Sequence, residues 1–196
     1  MPIEEENIKV KKPFIYSYSG QKLGPDWDAP CIEDIAISLG RLARFAGHSV
    51  RFWPVLLHSM TVCDLVMEEA KGCALLHDGS EAVFSDIPTP FKSTETKLAE
   101  AIVLDKIFKE HLSKEHYTKY HNDPDIWKMV KIADTEAFLG EVYVLGTKAL
   151  RSLYTERSPK AEKIVRKYLR KYQTDDYLQP SGLAVSDFIR KVKDYQ

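Results

Sequence analysis

The chain has 196 residues, 44% apolar and 29% charged, with 28 basic side chains against 29 acidic ones. That length suits one domain, at about one per 150 residues, and lets roughly 70% of the unfolded surface be buried without staples. Near neutrality excludes a general affinity for nucleic acid or membrane surfaces, so an anionic ligand must meet a local basic cluster, and no apolar run nears the roughly 20 residues of a membrane span.

The opening MPIEEENIKVKK is charged and lacks the apolar stretch of a secretory signal. Cys31, Cys63 and Cys73 show no CxxC spacing and are odd in number, so buried free thiols in a reduced, cytoplasmic compartment are expected.

FIYSYSGQKLG alternates aromatic and polar residues around Gly20, which predicts a small hairpin or extended lead-in. Ile32, Ile35, Ala36, Leu39, Leu42 and Ala43 recur at helical period, with carboxylates early and arginines late, so a helix is predicted from Ile32 to Phe45, ending near Gly47. Pro54 can occupy a first helical turn, and VLLHSMTVCDLVMEEA is apolar on most faces, as in a central helix. A short apolar helix is predicted from Lys71 to Ser80. The stiff loop SDIPTPF follows, where Pro88 and Pro90 favour extended conformations at the residues before them.

Further helices are predicted over Thr94 to about Leu112, about Pro124 to Ser152 with a break at Gly140 or Gly146, Ser158 to Tyr172, and about Ser181 to Lys193. With no strand series and no repeat, the fold class is all-α: one domain over 1–196, its motif-bearing core about 32–150 and a helical tail 155–196. KAEKIVRKYLRKY interleaves basic residues with tyrosines, but Ile164, Val165, Tyr168 and Leu169 make an apolar stripe, so it reads as an amphipathic helix rather than a nucleic-acid surface.

ALLHDGSEAVFSDIPTP concentrates polar groups behind an apolar run. If 71–81 is α-helical, at about 100° per residue, His77 lies about 40° from Glu81 and Asp78 about 60° on its other side, so the three share a sector. Imidazole beside carboxylate suits a divalent transition ion better than Mg or Ca. Two further polar residues in apolar helices, His58 and Asp134, need partners of their own. Taken singly, His58 reads as a hydrogen-bonded core histidine and Asp134 as the partner of Lys131; together with His77 and Asp78 they complete a metal site.

The order His58, His77-Asp78, Asp134 resembles that of the HD-domain metal phosphohydrolases. More narrowly, LLHDGSEAVFSDIPTPFK is similar to the segment marking the bacterial 5'-deoxynucleotidase branch, which includes phage dATP triphosphohydrolases; the likeness runs over roughly residues 15–150. The resemblance implies an HD-type helical bundle in which His58, His77, Asp78 and Asp134 hold one divalent ion (Co, Mn, Zn, Ni or Fe), with Mg as a second, substrate-bound ion. Glu81 would orient the attacking water and accept its proton. Asp86 would contact the sugar and support the leaving side, with Thr89 assisting; a plain turn residue is the competing reading of Asp86. Arg44 would meet the phosphate.

Phe45 stands where relatives often carry the Trp that excludes a 2'-hydroxyl. For Arg41, His48, Arg51 and Lys92, phosphate binding competes with ordinary solvated charge; His48, behind Gly47, is the favoured second phosphate group after Arg44. The expected activity is metal-dependent release of phosphate from 2'-deoxynucleotides, leaning to dATP giving deoxyadenosine, with a 5'-deoxynucleotidase on monophosphates as the alternative. Phosphodiester or alarmone hydrolysis by another HD branch, and a non-catalytic helical oligomerisation module, rank below these. A bacterial or phage-infected cytoplasm, a homo-oligomer (dimer or hexamer), and no nucleic-acid or membrane partner complete the expectation.

Overall fold

The structure, a computed structural model, describes residues 12–172 and 182–196. Ile15–Tyr16 and Lys22–Leu23 pair antiparallel with Ile15 opposite Leu23, the small peripheral hairpin that the alternation predicts. Ten α-helices follow among the described residues: α1 Ile32–Arg41, α2 Val55–Leu65, α3 Lys71–Leu76, α4 Glu81–Phe84, α5 Thr94–His111, α6 Lys114–Asn122, α7 Pro124–Leu145, α8 Lys148–Ser152, α9 Pro159–Tyr172 and α10 Gly182–Lys193. The fold is all-α, and no helix among the described residues is long and apolar enough to cross a membrane. Ser181, predicted to start the last helix, lies outside the described residues.

The apolar faces of α2 decide the architecture. Every residue from Val55 to Cys63 is buried, and α1, α3, α7, α9 and α10 pack around this central rod. Its Leu56, Leu57 and Met60 join Ile35, Leu39, Leu75, Ile107, Val130 and Phe188 in one continuous core. The stripe on α9 packs as its period implies: Val165 and Tyr168 are buried, Ile164 and Leu169 half-buried, and Arg166 and Arg170 face solvent.

Several boundaries differ from expectation. The first helix stops at Arg41 because Leu42 and Ala43 turn extended: Ala43 bridges Pro54, and Arg44 N–H donates to the Trp53 carbonyl at 2.9 Å. Pro54 therefore precedes α2 as an extended cap rather than lying inside its first turn. The helix predicted over 71–80 ends at Leu76 and tightens. Gly79 N–H bonds the Leu76 carbonyl and Glu81 N–H the Asp78 carbonyl, an i→i+3 pattern with about 3 residues per turn that eclipses Asp78 and Glu81 on one face. Thr89 opens a short 3-10 turn, Thr89–Phe91, instead of being extended before Pro90.

Gly140 and Gly146 divide the two roles that the sequence leaves open. Gly146 ends α7, whereas Gly140 lies in mid-helix where α9 crosses; a Cβ there would stand 2.6 Å from the Ala161 Cβ and 2.9 Å from α9 backbone, so only hydrogen fits. The helix α6 had no apolar period to announce it. It has no buried residue and is held by its Ser113 cap, whose side chain accepts from His116 N–H.

Candidate metal centre

α2, the turn after α3, and α7 converge at one end of the bundle. His58 projects from fully buried α2, His77 and Asp78 begin the tight turn, and Asp134 lies on α7. One donor atom each from His58, His77 and Asp78 lies within 4.8 Å of the others. Asp134 stands outside that triple but meets both rings, its Oδ1 3.1 Å from His58 Nε2 and 3.9 Å from His77 Nε2. Its Oδ2 accepts from Lys131 at 3.1 Å, the pairing expected of Asp134 taken singly.

The hydrogen-bond partners define the ligand atoms. His77 Nδ1–H donates to the Ala74 carbonyl at 2.8 Å, since a carbonyl can only accept. Its Nε2 is therefore the lone-pair nitrogen; it is buried without a hydrogen-bond partner, and Asp78 Oδ2, 3.2 Å away, is outside bonding geometry. A buried imidazole nitrogen aimed at two carboxylates and a second ring, with nothing to bond, fits a divalent ion. His58 has the same arrangement: Nδ1–H donates to Glu141 Oε1 at 2.8 Å, turning Nε2 toward Asp134 and Asp78.

Glu141 is the residue that sequence reasoning missed. It is wholly buried on α7, and its carboxylate accepts from His58 Nδ1, from Trp53 Nε1 at 2.8 Å and from Arg44 Nε at 3.0 Å. Carboxylate–histidine pairing of this kind fixes tautomer and ring orientation at metal sites. The available signal was a charged residue inside the apolar run FLGEVYVLG. Burial opposes its charge, but Arg44 and His58 outweigh burial and hold Glu141 below its ordinary range. For His58, burial and the Arg44 charge favour the neutral ring, yet Glu141 and Asp134 prevail and push its pKa up to about 10. Without an ion, that raised pKa favours a proton on Nε2, which faces Asp134 and Asp78.

A cleft of about 510 Å³ opens over this centre. Arg44, Phe45, Asp78, Glu81, Asp86, Thr89, Lys92 and Asp134 all line it, so most of the predicted site residues come together, with Lys131 and Thr135 added. His48 does not: it is exposed on the loop after α1 and does not line the cleft, which removes it as the second phosphate group. Phe45, Ala46 and Gly47 take φ of 58°, 50° and 80° in succession, a left-handed turn that re-aims this loop.

Glu81 is buried, and its Oε2 has no partner. Burial raises its pKa, as do the neighbouring charges of Asp78 and Asp86, although Arg44 and Lys92 pull it back. Lys92 Nζ lies 3.9 Å from Glu81 Oε1 and 2.9 Å from Glu100. Asp86 is likewise raised, by burial first. The arrangement offers a cation site walled by a buried carboxyl whose surroundings favour its protonated form, with Arg44, Lys92 and Lys131 lining the same cleft.

No protein-family model matches the chain. Over 82 residues it is 42% identical to the uncharacterized protein YfdR of Escherichia coli (strain K12), a stretch that covers 40% of this chain and 46% of that protein. The match thus spans less than half the length of that relative.

Proposed function

We propose that this chain is a divalent-metal phosphohydrolase of the HD-domain type that releases phosphate from the 5' side of 2'-deoxynucleotides. The observation that carries the reading is the unpartnered His77 Nε2, buried beside His58 and behind Asp78, which with Asp134 and Glu81 lines the cleft. His58, His77 and Asp78 would hold the ion, with Asp134 as fourth ligand. Bound there, a divalent ion supplies Lewis acidity toward a phosphoryl oxygen and a water acidified toward neutral pH.

The rest of the chemistry belongs to the chain. Glu81, eclipsed with Asp78 on the tight turn, accepts the proton of the attacking water at Oε2; burial and the charges of Asp78 and Asp86 favour its neutral acid, and a cation held beside it would favour the carboxylate that this role needs. Arg44 is clamped at Nε by Glu141, which leaves its remaining N–H groups for a phosphate oxygen. Lys92 adds a second positive contact from the proline loop. Asp86, raised by burial, lines the same cleft and would hydrogen-bond the sugar.

The sequence likeness points to dATP. A different observation favours monophosphates: three cations and four carboxylates line the cleft, and each cation already has a carboxylate partner (Arg44 with Glu141, Lys92 with Glu100, Lys131 with Asp134). A triphosphate tail would compete for all three. Incubation with Mn or Co and a panel of dNTPs, dNMPs and ribonucleotides, followed by product separation, tests both. Deoxyadenosine from dATP supports the triphosphohydrolase, turnover of dNMPs alone supports the nucleotidase, and no release from any of them overturns the reading.

A further inference from the structure

The cleft has two chemically different linings. Beside the ionic groups, Phe45 from the left-handed turn, its ring centroid 5.7 Å from the Arg44 guanidinium, Phe138 from α7 and Tyr154 from the segment after α8 line the same cavity. The Phe45 and Phe138 rings are 6.0 Å apart and tilted by 35°, while Phe138 and Tyr154 meet edge to face at 5.2 Å. The row is continuous yet not enclosed, and Tyr154 is 40% exposed. It differs from the Phe108, Tyr120 and Trp127 cluster, which closes on itself around fully buried Phe108.

Two features aim this row at a ligand. Phe138 follows Asp134 by four residues on α7, so its ring lies on the same side of the helix as Asp134, about 6 Å further along the axis. Phe45 and Ala46 hold φ values that residues with a Cβ rarely adopt, and such strain persists where the surroundings over-determine it, as at ligand clamps. A molecule that suits both linings carries an anion at one end and a flat π-face about one sugar ring away.

We propose that Phe45, Phe138 and Tyr154 form the stacking platform for the heterocyclic base of the nucleotide, with Phe138 and Tyr154 as base-binding residues; this rests on the function proposed above. Any base has a π-face, so the platform provides affinity for nucleotides as a class over phosphates that lack a base.

The test compares the four common dNMPs with 2-deoxyribose 5-phosphate as substrates of the Mn-loaded wild type, F138A, Y154A and F138W, with dAMP binding measured by calorimetry and folding checked by circular dichroism melts. F138A should raise KM for the dNMPs about 5- to 100-fold with kcat little changed, and leave KM for deoxyribose 5-phosphate unmoved. Y154A, altered at an exposed ring, should do the same to a smaller degree, and F138W should restore the wild-type value. Equal losses on both kinds of substrate, or no loss on the nucleotides, overturn the platform. If the wild type hydrolyses neither, the phosphohydrolase reading falls and the platform is judged by calorimetry alone: dAMP binding that F138A and Y154A weaken sustains it, and dAMP binding that is absent or unweakened overturns it.

Discussion

Glu81 and Asp187 are equally buried, each 7% exposed, but their surroundings are opposite. Asp187, on α10, accepts from Lys171 at 2.6 Å, Arg190 at 2.7 Å and the Tyr172 hydroxyl at 2.9 Å, and these partners outweigh burial to lower its pKa. Glu81 has an unpartnered oxygen, two carboxylates nearby and a raised pKa. The α9–α10 face spends its charges on one another, whereas the metal end leaves donors and acceptors unspent. Carboxylates kept poor in partners by their own fold are suited to meeting something that arrives later, and this contrast separates the candidate metal centre from the α9–α10 face.

Four measurements sharpen or break the contrast, from the largest expected effect to the smallest. Glu81→Gln should lower kcat by about 10²- to 10⁴-fold with metal binding intact and an unchanged or higher Tm, because the buried carboxyl is relieved rather than missed. Asp78→Ala should instead lose the ion. Near-wild-type turnover by Glu81→Gln removes it as the base. Glu141→Gln should raise the Kd for Mn by roughly 10- to 100-fold in calorimetry: an amide presents a donor to one of three donors, so His58 and Arg44 lose their alignment. An unchanged Kd shows that Glu141 does not position His58.

Asp187→Asn should cost about 1–2 kcal/mol of stability in urea unfolding, with kcat untouched, the mirror image of the Glu81 result. A change in kcat at this distance breaks the division between the two regions. The smallest effect is a slope with pH. Burial and Arg44 oppose a charge on His58, but Glu141 and Asp134 raise its pKa from 6.5 to about 10, so in the metal-free protein its stabilisation is complete below 6.5 and is lost as pH rises through about 10. The Tm of metal-free protein should fall across that window, and Mn, which requires the neutral ring, should flatten the slope. A metal-free Tm that is flat over the same range contradicts the proton on His58 Nε2.

Residue type and local period were enough to find much of this. The apolar surround of α2 marked it as central, and the cost of burying His58 and Asp134 flagged both as needing partners. What escaped depended on distant segments. Glu141 reads locally as a good helix former, and only Trp53, His58 and Arg44, brought in from elsewhere, make it a hub. His48 stands out in the sequence for following Gly47 in a loop, but a left-handed turn separates its surroundings from those of Arg44. The His77–Glu81 sector was argued from 3.6 residues per turn, whereas the chain tightens there to three. Helix α6 offers only Tyr117 and Tyr120 to the core, too few apolar positions for a period to reveal it.

The bonds at Glu141 bear on how the molecule assembles. They join residues 97, 88 and 83 positions apart, so no partly folded chain that lacks a docked α7 can align His58 or Arg44. Closing loops of that length belongs to the late, non-local part of folding. On the function proposed above, metal capture would report completed topology: a chain whose α7 has not docked holds the histidines without the geometry.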